Sequence, residues 1–361
     1  MPDLHYVYPR WRKMSFATIA EQHIKLLRQK VKVQEIDEGT LDNMQWLIPR
    51  DILIHPILYM TIGDKANMIE QRQKRLQKLL RISKHIGGFE TADSDKLSKV
   101  AVETLNKFGL IFLPSKFAME TFTTSGVKAP LVHLPHGLPE AMTDPDKTID
   151  NESILKIKKI KDDKDAVLVL YFMTHSEYRK GGDIVFEAME FLQQKYPNIF
   201  LLMKSSPQHN PIYEKLKTLR LIEIPTWMPD VVLKQLYDVA DMLIVPSRGG
   251  GFELNAIEGL ARGLPTLVPN AGCFLDYIEH TIPLPIVARP QVFPDNPIHI
   301  GNGWETDSDG LADAIDRVFN NLESWKEKAQ ASAEIVREEY AWTEIGKKLW
   351  TTLQEHGYGK D

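Results

Sequence analysis

The sequence predicts an α/β protein of two consecutive domains, and three observations carry that expectation. Short apolar runs rich in β-branched residues alternate with helical-period segments in both halves of the chain. The 361 residues are too many for one small core and fit two domains of ordinary size. Between the halves, residues 139–150 are rich in Pro, Asp, Thr and Lys and read as a linker. Apolar residues at 43% and charged residues at 26% fit a soluble globular chain that buries a sizeable core. With no apolar run long enough to span a membrane and no charged-apolar-small leader, a cytoplasmic protein is expected. The formal charge of −5 argues against a dedicated nucleic-acid binder. Cys273 is the single cysteine, which excludes an intrachain disulfide and a cysteine-based metal site and fits a reducing compartment.

In the first half, HYVYP starts a strand, residues 16–29 carry Ile19, His23, Leu26 and Leu27 at helical spacing, and VKVQEI returns as a strand. DILIHPIL, from Asp51, reads as one further buried strand, and residues 68–80 as a helix with Lys and Arg outward. The turn after the first strand holds Trp11, Arg12, Lys13 and Ser15 but no G-x-G-x-x-G, so a nicotinamide oxidoreductase loses ground. Arg10, Trp11, Arg12 and Lys13 form a basic-aromatic cluster suited to peripheral contact with an anionic membrane. GLIFLPS is a strand ended by Pro and Ser, and Lys116–Ser125 a helix stopped by Gly126.

In the second half, the charged stretch KIKKIKDDKD reads as a solvated helix end and turn. AVLVLYFM is a buried strand, followed by a loop and a helix with Ile184, Val185, Ala188 and Leu192 on one face. NIFLLMKSS is the next strand, residues 212–219 a helix, and LIEIPTWMP a strand and turn in which Trp227 suits a packing anchor. Residues 243–269, LIVPSRGGGFELNAIEGLARGLPTLVP, hold the strongest local signal. A strand is broken by Ser247, Arg248 and three glycines, whose backbone is free to take positive φ and lie against a ligand. Asn255 and Glu258 have capping-box spacing, and Ile257, Leu260 and Ala261 give one apolar face before Gly263 and Pro265. The free N–H groups at that helix start suit a phosphate or a sugar hydroxyl. Alone, the stretch reads better as an ordinary βαβ turn whose glycines permit tight packing. Segments 311–319 and 325–340 read as helices, and WTEIGKKLWTTLQ as a last amphipathic one. The D-x-D pairs Asp93/Asp95, Asp144/Asp146, Asp163/Asp165 and Asp307/Asp309 lie in charged loops and read as solvated rather than metal-binding. Neither a zinc motif nor a G-x-S-x-G elbow is present.

Pro246, Ser247, Gly251, Phe252, Leu254, Glu258, Ala261, Gly263 and Pro265 fall in register with P-S-x-x-E-G-F-G-L-x-x-x-E-A-x-A-x-G-x-P. The stretch thereby resembles the donor-binding loop of the family 4 retaining glycosyltransferases. Phe89, Glu90, Thr91, Pro114, Ser115, Phe117, Ser125, Gly126, Pro135, His136 and Gly137 extend the resemblance through the first half. It implies the GT-B fold, two facing Rossmann-like domains: an acceptor-side domain over 1–140, a nucleotide-sugar domain over 141–340, and a helix over 341–361 returning to the first. It also implies that Glu258 holds ribose hydroxyls, that Gly250, Gly251, Phe252 and Leu254 line the donor sugar and diphosphate, and that Met228 lies beside the base. Lys180 matches the family's diphosphate-binding lysine, while His175 stands where its arginine is usual and Arg179 lies beside the lysine. The pattern's first glutamate falls on Gly250 and its second glycine on Glu253, which leaves open whether Glu253 stands in. His55 resembles a histidine near the donor sugar, and Glu90 and Ser15 fall on the acceptor side.

The resemblance implies a nucleotide-sugar donor, a glycan, lipid-linked or other hydroxyl acceptor, and no cofactor or obligatory metal. Front-face attack with the leaving phosphate as base is implied too, since no carboxylates are paired as in a glycosidase. Two other classes stay open: a GT-B epimerase or inverting transferase, and a catalytically silent sugar-nucleotide binder. Gly250 and His175, at two usually charged positions, favour the latter.

Overall fold

The computed structural model describes residues 4–12, 14–43, 49–174, 176, 178–206 and 210–359. Twelve strands among them form two parallel six-stranded sheets. The first contains β1 (Leu4–Tyr8), β2 (Val33–Asp37), β3 (Arg50–Ile54), β4 (Ser83–Phe89), β5 (Leu110–Leu113) and β6 (Leu131–His133). Its order is β2-β1-β3-β4-β5-β6. The second contains β7 (Val167–Met173), β8 (Ile199–Ser205), β9 (Leu221–Ile224), β10 (Met242–Ile244), β11 (Thr266–Pro269) and β12 (Ile282–Leu284). Its order is β12-β11-β10-β7-β8-β9.

Chain direction explains where ligands fit. Helices cross over between parallel strands, and successive crossovers go opposite ways from β1 and from β7. The strand order therefore reverses between β1 and β3 in one sheet and between β7 and β10 in the other, where the loops at the carboxyl ends part and leave a crevice. Registers are regular there, with Leu4 opposite Asp51 in the first sheet and Ile244 opposite Tyr171 in the second. All of β1 and all of β8 are buried, His5, Lys204 and Ser205 included, as suits mainly apolar strands covered on both faces.

By contacts the chain divides into two compact units. One comprises Met1–Gly137, Phe293–Asn302 and Trp342–Asp361; the other comprises Leu138–Val292 and Gly303–Ala341. In the first, the helices Ser15–Leu27 and Trp342–Glu355 share a core around Tyr6, Leu53, Leu349 and Leu353. They pack so closely that a Cβ on Gly346 would lie 2.9 Å from Leu26. The excursion Phe293–Asn302 is pinned to this unit by polar bonds: Ser98 Oγ donates to the Pro297 carbonyl at 2.6 Å, and Asp95 Oδ1 accepts from Asn302 N at 2.7 Å. In the second unit the core lies between β7, β8 and the helices Gly182–Lys195 and Ser308–Phe319.

Local chemistry sets the element ends. Ser115 caps the helix Lys116–Ser125, and Gly126 ends it at φ 98°, a backbone that a side chain would strain. The run DILIHPIL is not one strand: β3 stops at Ile54, and Pro56, with no N–H for the ladder, precedes a short helix Ile57–Thr61. Similarly, the helix expected over 212–219 is shorter, Pro211–Leu216, starting where Asn210 Oδ1 accepts from Tyr213 N. The charged run becomes the end of the helix Glu152–Lys164, with Lys158–Asp162 and Lys159–Asp163 ion pairs one turn apart. Among the described residues, no helix is long and apolar enough to cross a membrane.

Candidate functional site

At the reversal point of the second sheet, the loop after β7 lies against the loop after β10. The close approach depends on Gly181: its φ is 73°, and a Cβ there would lie 2.4 Å from the Pro246 carbonyl oxygen. Backbone joins the loops as well, Arg248 N donating to the Arg179 carbonyl at 2.7 Å. Their side chains then converge on one carboxylate. Lys180 Nζ donates to Glu253 Oε2 at 2.5 Å, and Arg179 Nη1 lies 3.4 Å from Glu253 Oε1 while donating to the Gly249 carbonyl at 2.9 Å. Burial acts to raise the Glu253 carboxyl, but Lys180 and Arg179 more than offset it and leave it below the usual carboxylate range. Two cations therefore face one ionised carboxylate, and the surplus positive charge suits a diphosphate.

Gly250 has its own reason. A Cβ at this position would lie 2.7 Å from Glu253 Oε1, so the Glu253 carboxylate fills the space a side chain at 250 would enter. The backbone of Gly250 does not use the left-handed region, contrary to the expectation for this loop; what glycine supplies is room. The capping box is corrected too. The helix is Leu254–Ala261 with Glu253 as its cap residue, so Asn255 already lies inside it. Glu258 turns from the helix start to accept from Tyr237 OH at 2.6 Å. Burial pushes the Glu258 carboxyl up to about 7, with Tyr237 opposing and Asp230 adding to the rise.

Arg248 ties these parts together. Its guanidinium takes Asp183 with two bonds, at 2.8 and 2.7 Å, donates to the Tyr178 carbonyl at 2.7 Å, and bonds Glu305 through Nε. It also stacks 4.2 Å over the Tyr178 ring. Gly251 is buried, Leu254 is half-buried, and the half-buried Phe252 ring lies 6.3 Å from Tyr277 and 6.1 Å from Tyr340. Met228 is buried in the turn before the helix Asp230–Val239, which carries Tyr237, whereas Trp227 is 66% exposed and anchors no core. His175 lies outside the described residues.

In the first unit, His55 follows β3 and joins a buried ring cluster. Tyr6 OH lies 2.8 Å from His23 Nδ1 and 3.4 Å from His55 Nδ1, and the His23 ring stacks on Phe89 at 4.2 Å. Burial, with mutual repulsion among the imidazoles, holds His23 and His55 well below the usual histidine range, and burial takes His136 down to about 3. These imidazoles are neutral near pH 7. Glu90 spends both oxygens on backbone, accepting from Leu58 N at the start of the helix Ile57–Thr61 and from Thr91 N at 3.0 Å. Burial pushes its carboxyl up to about 8 despite those bonds, so it acts on the His55–Ile57 turn. Ser15 is exposed at the first position of the helix Ser15–Leu27.

Comparison with known proteins decides the family. Residues 230–349 match the family described as "Family 4 Glycosyltransferase in conflict systems". Over 98% of both chains the sequence is 31% identical to uncharacterized protein 356 of Sulfolobus islandicus rod-shaped virus 1. A protein of Sulfolobus islandicus filamentous virus, named "Putative glycosyltransferase 45", is 28% identical over 72% of this chain and 71% of its own. The chain belongs to the family 4 glycosyltransferases. The fold is GT-B: the crystal structure of Anabaena HepE in complex with UDP-glucose superposes with a TM-score of 0.69 at 13% identity, covering 98% of this chain and 100% of that one. A UDP-forming trehalose-phosphate synthase of Burkholderia xenovorans, in complex with glucose-6-phosphate, gives 0.67 at 13% identity over 97% and 100%.

For this glycosyltransferase, sequence reasoning picked out Arg179, Lys180, Gly250 and Glu253, which the structure brings together. It missed the tie made by Arg248 to Asp183 and Glu305, and it missed Tyr237. Arg248 did carry a signal: a guanidinium between a buried strand and a glycine run must find partners to be buried. Its partners lie 65 and 57 residues away, beyond any local spacing rule.

Proposed function

We propose that this glycosyltransferase moves a sugar from a UDP-sugar to an acceptor hydroxyl with retention of anomeric configuration. The observation that carries the reading is the convergence of Arg179 and Lys180 on Glu253 where the second sheet reverses. In the reaction the bond from the anomeric carbon to the distal phosphate oxygen breaks, and a bond from the acceptor oxygen forms on the same face. The acceptor proton passes to the leaving phosphate. Arg179 and Lys180 take up the charge gathering on that phosphate, so the reading uses neither a metal nor another cofactor. Glu253 holds the two cations in place from the space above Gly250, and Glu258 accepts from the ribose hydroxyls with the oxygen that Tyr237 leaves free. Uracil is the preferred base because solved relatives of the fold are complexes with UDP-glucose or are UDP-forming. The acceptor-side roles fall to Ser15 and Glu90, with His55 near the donor sugar and a cytoplasmic setting for the soluble donor.

Calorimetry with UDP-, GDP- and ADP-glucose, on the wild type and Glu258→Ala, tests the donor side. Binding of the UDP-sugar alone, lost in the variant, supports the reading; binding of a different nucleotide moves the base, and no binding favours a silent protein. NMR of the product distinguishes retention from inversion.

A further inference from the structure

Beside the crevice of the first sheet lies a second cluster of charge, made of residues that the proposed donor site does not use. A cavity of about 330 Å³ is walled by Trp11 and Arg12 after β1, by Asp37, Glu38 and Gly39 at the end of β2, and by Arg72 and Arg75. The two last arginines lie on the helix Ile69–Ile82 and are 8% and 9% exposed. Arginine is rarely buried this far without committed partners. Arg72 Nη1 is buried, lies 3.6 Å from Glu38 Oε2 and makes no hydrogen bond among the described residues. Glu38 is engaged by Arg12 at 2.8 Å instead. Asp37 spends its oxygens on backbone, accepting from Gly39 N at 2.9 Å and Arg10 N at 3.1 Å. Arg12 and Arg72 also stack over one ring, Tyr59, at 5.8 and 4.9 Å, which fixes their planes. Three arginines and two acidic residues thus line one cavity; Arg75 donates to the Met60 carbonyl at 3.4 Å, and Arg72 keeps one buried N–H without a hydrogen bond among the described residues.

We propose that this cavity is the subsite for a phosphoryl group on the acceptor. Guanidinium forks match phosphate oxygens with paired hydrogen bonds, and groups arriving from two elements suit a tetrahedral anion with three oxygens better than a flat carboxylate. The carboxylates of Glu38 and Asp37 at the rim then accept from sugar or polyol hydroxyls. The assignment to the acceptor rests on the donor reading of the second unit; binding of phosphate here does not. A sugar phosphate and a phospholipid headgroup present the same chemistry.

The test is calorimetric titration of inorganic phosphate at constant ionic strength and saturating UDP, on the wild type, Arg72→Gln, Arg75→Gln and Lys180→Gln. Loss of one charged hydrogen-bonding partner weakens phosphate about tenfold or more in the two arginine variants and leaves Lys180→Gln near the wild type. Undetectable phosphate binding, equal affinity in the arginine variants, or loss only in Lys180→Gln overturns the proposal. Circular dichroism checks folding, and the exposed Arg12→Gln carries the test if a buried variant unfolds. Absence of UDP binding sinks the donor reading while leaving the phosphate result legible. Glucose 6-phosphate against glucose, and phosphatidylglycerol–phosphatidylcholine against pure phosphatidylcholine vesicles, then separate the sources. Preference for either phosphorylated form, lost in Arg72→Gln, supports an acceptor subsite; if neither exceeds inorganic phosphate, that role is overturned.

Discussion

Lys180 Nζ and Glu253 Oε2 meet at 2.5 Å across two loops that are 73 residues apart in sequence. The Glu253 carboxylate stands over Gly250, the position where the family pattern carries a glutamate, and the proposed function has Glu253 serve in its stead. The two positions have exchanged residue types while one carboxylate still serves the cations. Gly250→Glu alone would crowd two carboxylates into that space, and sugar-nucleotide turnover should fall at least ~100-fold, as for an uncompensated buried charge. Combining it with Glu253→Gly should restore most of the kcat/KM, since glycine is tolerated at a helix cap. A double variant as inactive as the single one would refute the exchange.

Arg248 is expected to act on donor binding without touching the donor. Arg248→Lys cannot keep two bonds to Asp183 together with those to Glu305 and the Tyr178 carbonyl, and it leaves carboxylates short of a partner. Stability should drop by about 3 kcal/mol or more, by the usual cost of breaking a buried pair. Urea denaturation measures the loss. Because the same side chain holds the loop that carries Arg179 and Lys180, the Kd for the UDP-sugar should rise even in conditions where the variant remains folded.

The strands were legible because parallel strands covered on both faces are mainly apolar, and β7, β8 and β11 show such runs directly. The glycine loop was legible for the same reason that it works: a run that breaks a buried strand is conspicuous. What could not be read is chemistry settled across distance. Nothing near Glu258 announces Tyr237, which lies 21 residues earlier on a different helix, and the helix is capped at Glu253 rather than at Asn255. Likewise, Phe293–Asn302 belongs to the first unit through contacts far apart in sequence, among them the bonds of Ser98 and Asp95 across 199 and 207 residues and the burial of Ile298 in that unit's core. The arginine cavity draws on three separate elements, of which only the Trp11–Arg12 stretch stood out locally, as part of a basic-aromatic cluster.

Glu258 gives donor binding a pH dependence. With the carboxyl at about 7 in the free protein, a large share is protonated near neutrality, and only the ionised form offers a free oxygen as a strong acceptor for ribose hydroxyls. Affinity for a UDP-sugar should therefore strengthen by up to about tenfold per pH unit below that value and level off above it. The diphosphate diester of the sugar nucleotide has no proton to lose in this range. Calorimetry across the range should show the dependence in the wild type and a flat, weaker profile in Glu258→Gln.

The histidines of the first unit set the acid limit. His136 titrates at about 3 when folded and near the ordinary histidine value of 6.5 when unfolded, so between those values the unfolded chain binds the extra proton. Its stabilising contribution is present above 6.5 and is lost as pH falls toward 3, with a slope of about 1.4 kcal/mol per pH unit. His23 and His55 act in the same sense. Glu90 acts oppositely: raised from 4.5 to about 8, it makes the folded state the better proton binder between those values, so its contribution is lost as pH rises. In His136→Phe the acid-side slope of the urea-derived free energy should lessen by about 1.4 kcal/mol per unit while the alkaline side stays as in the wild type. An unchanged acid slope would mean that the imidazole keeps its water in the fold, and the ring cluster around Tyr6 and Phe89 would then not be the reason for acid lability.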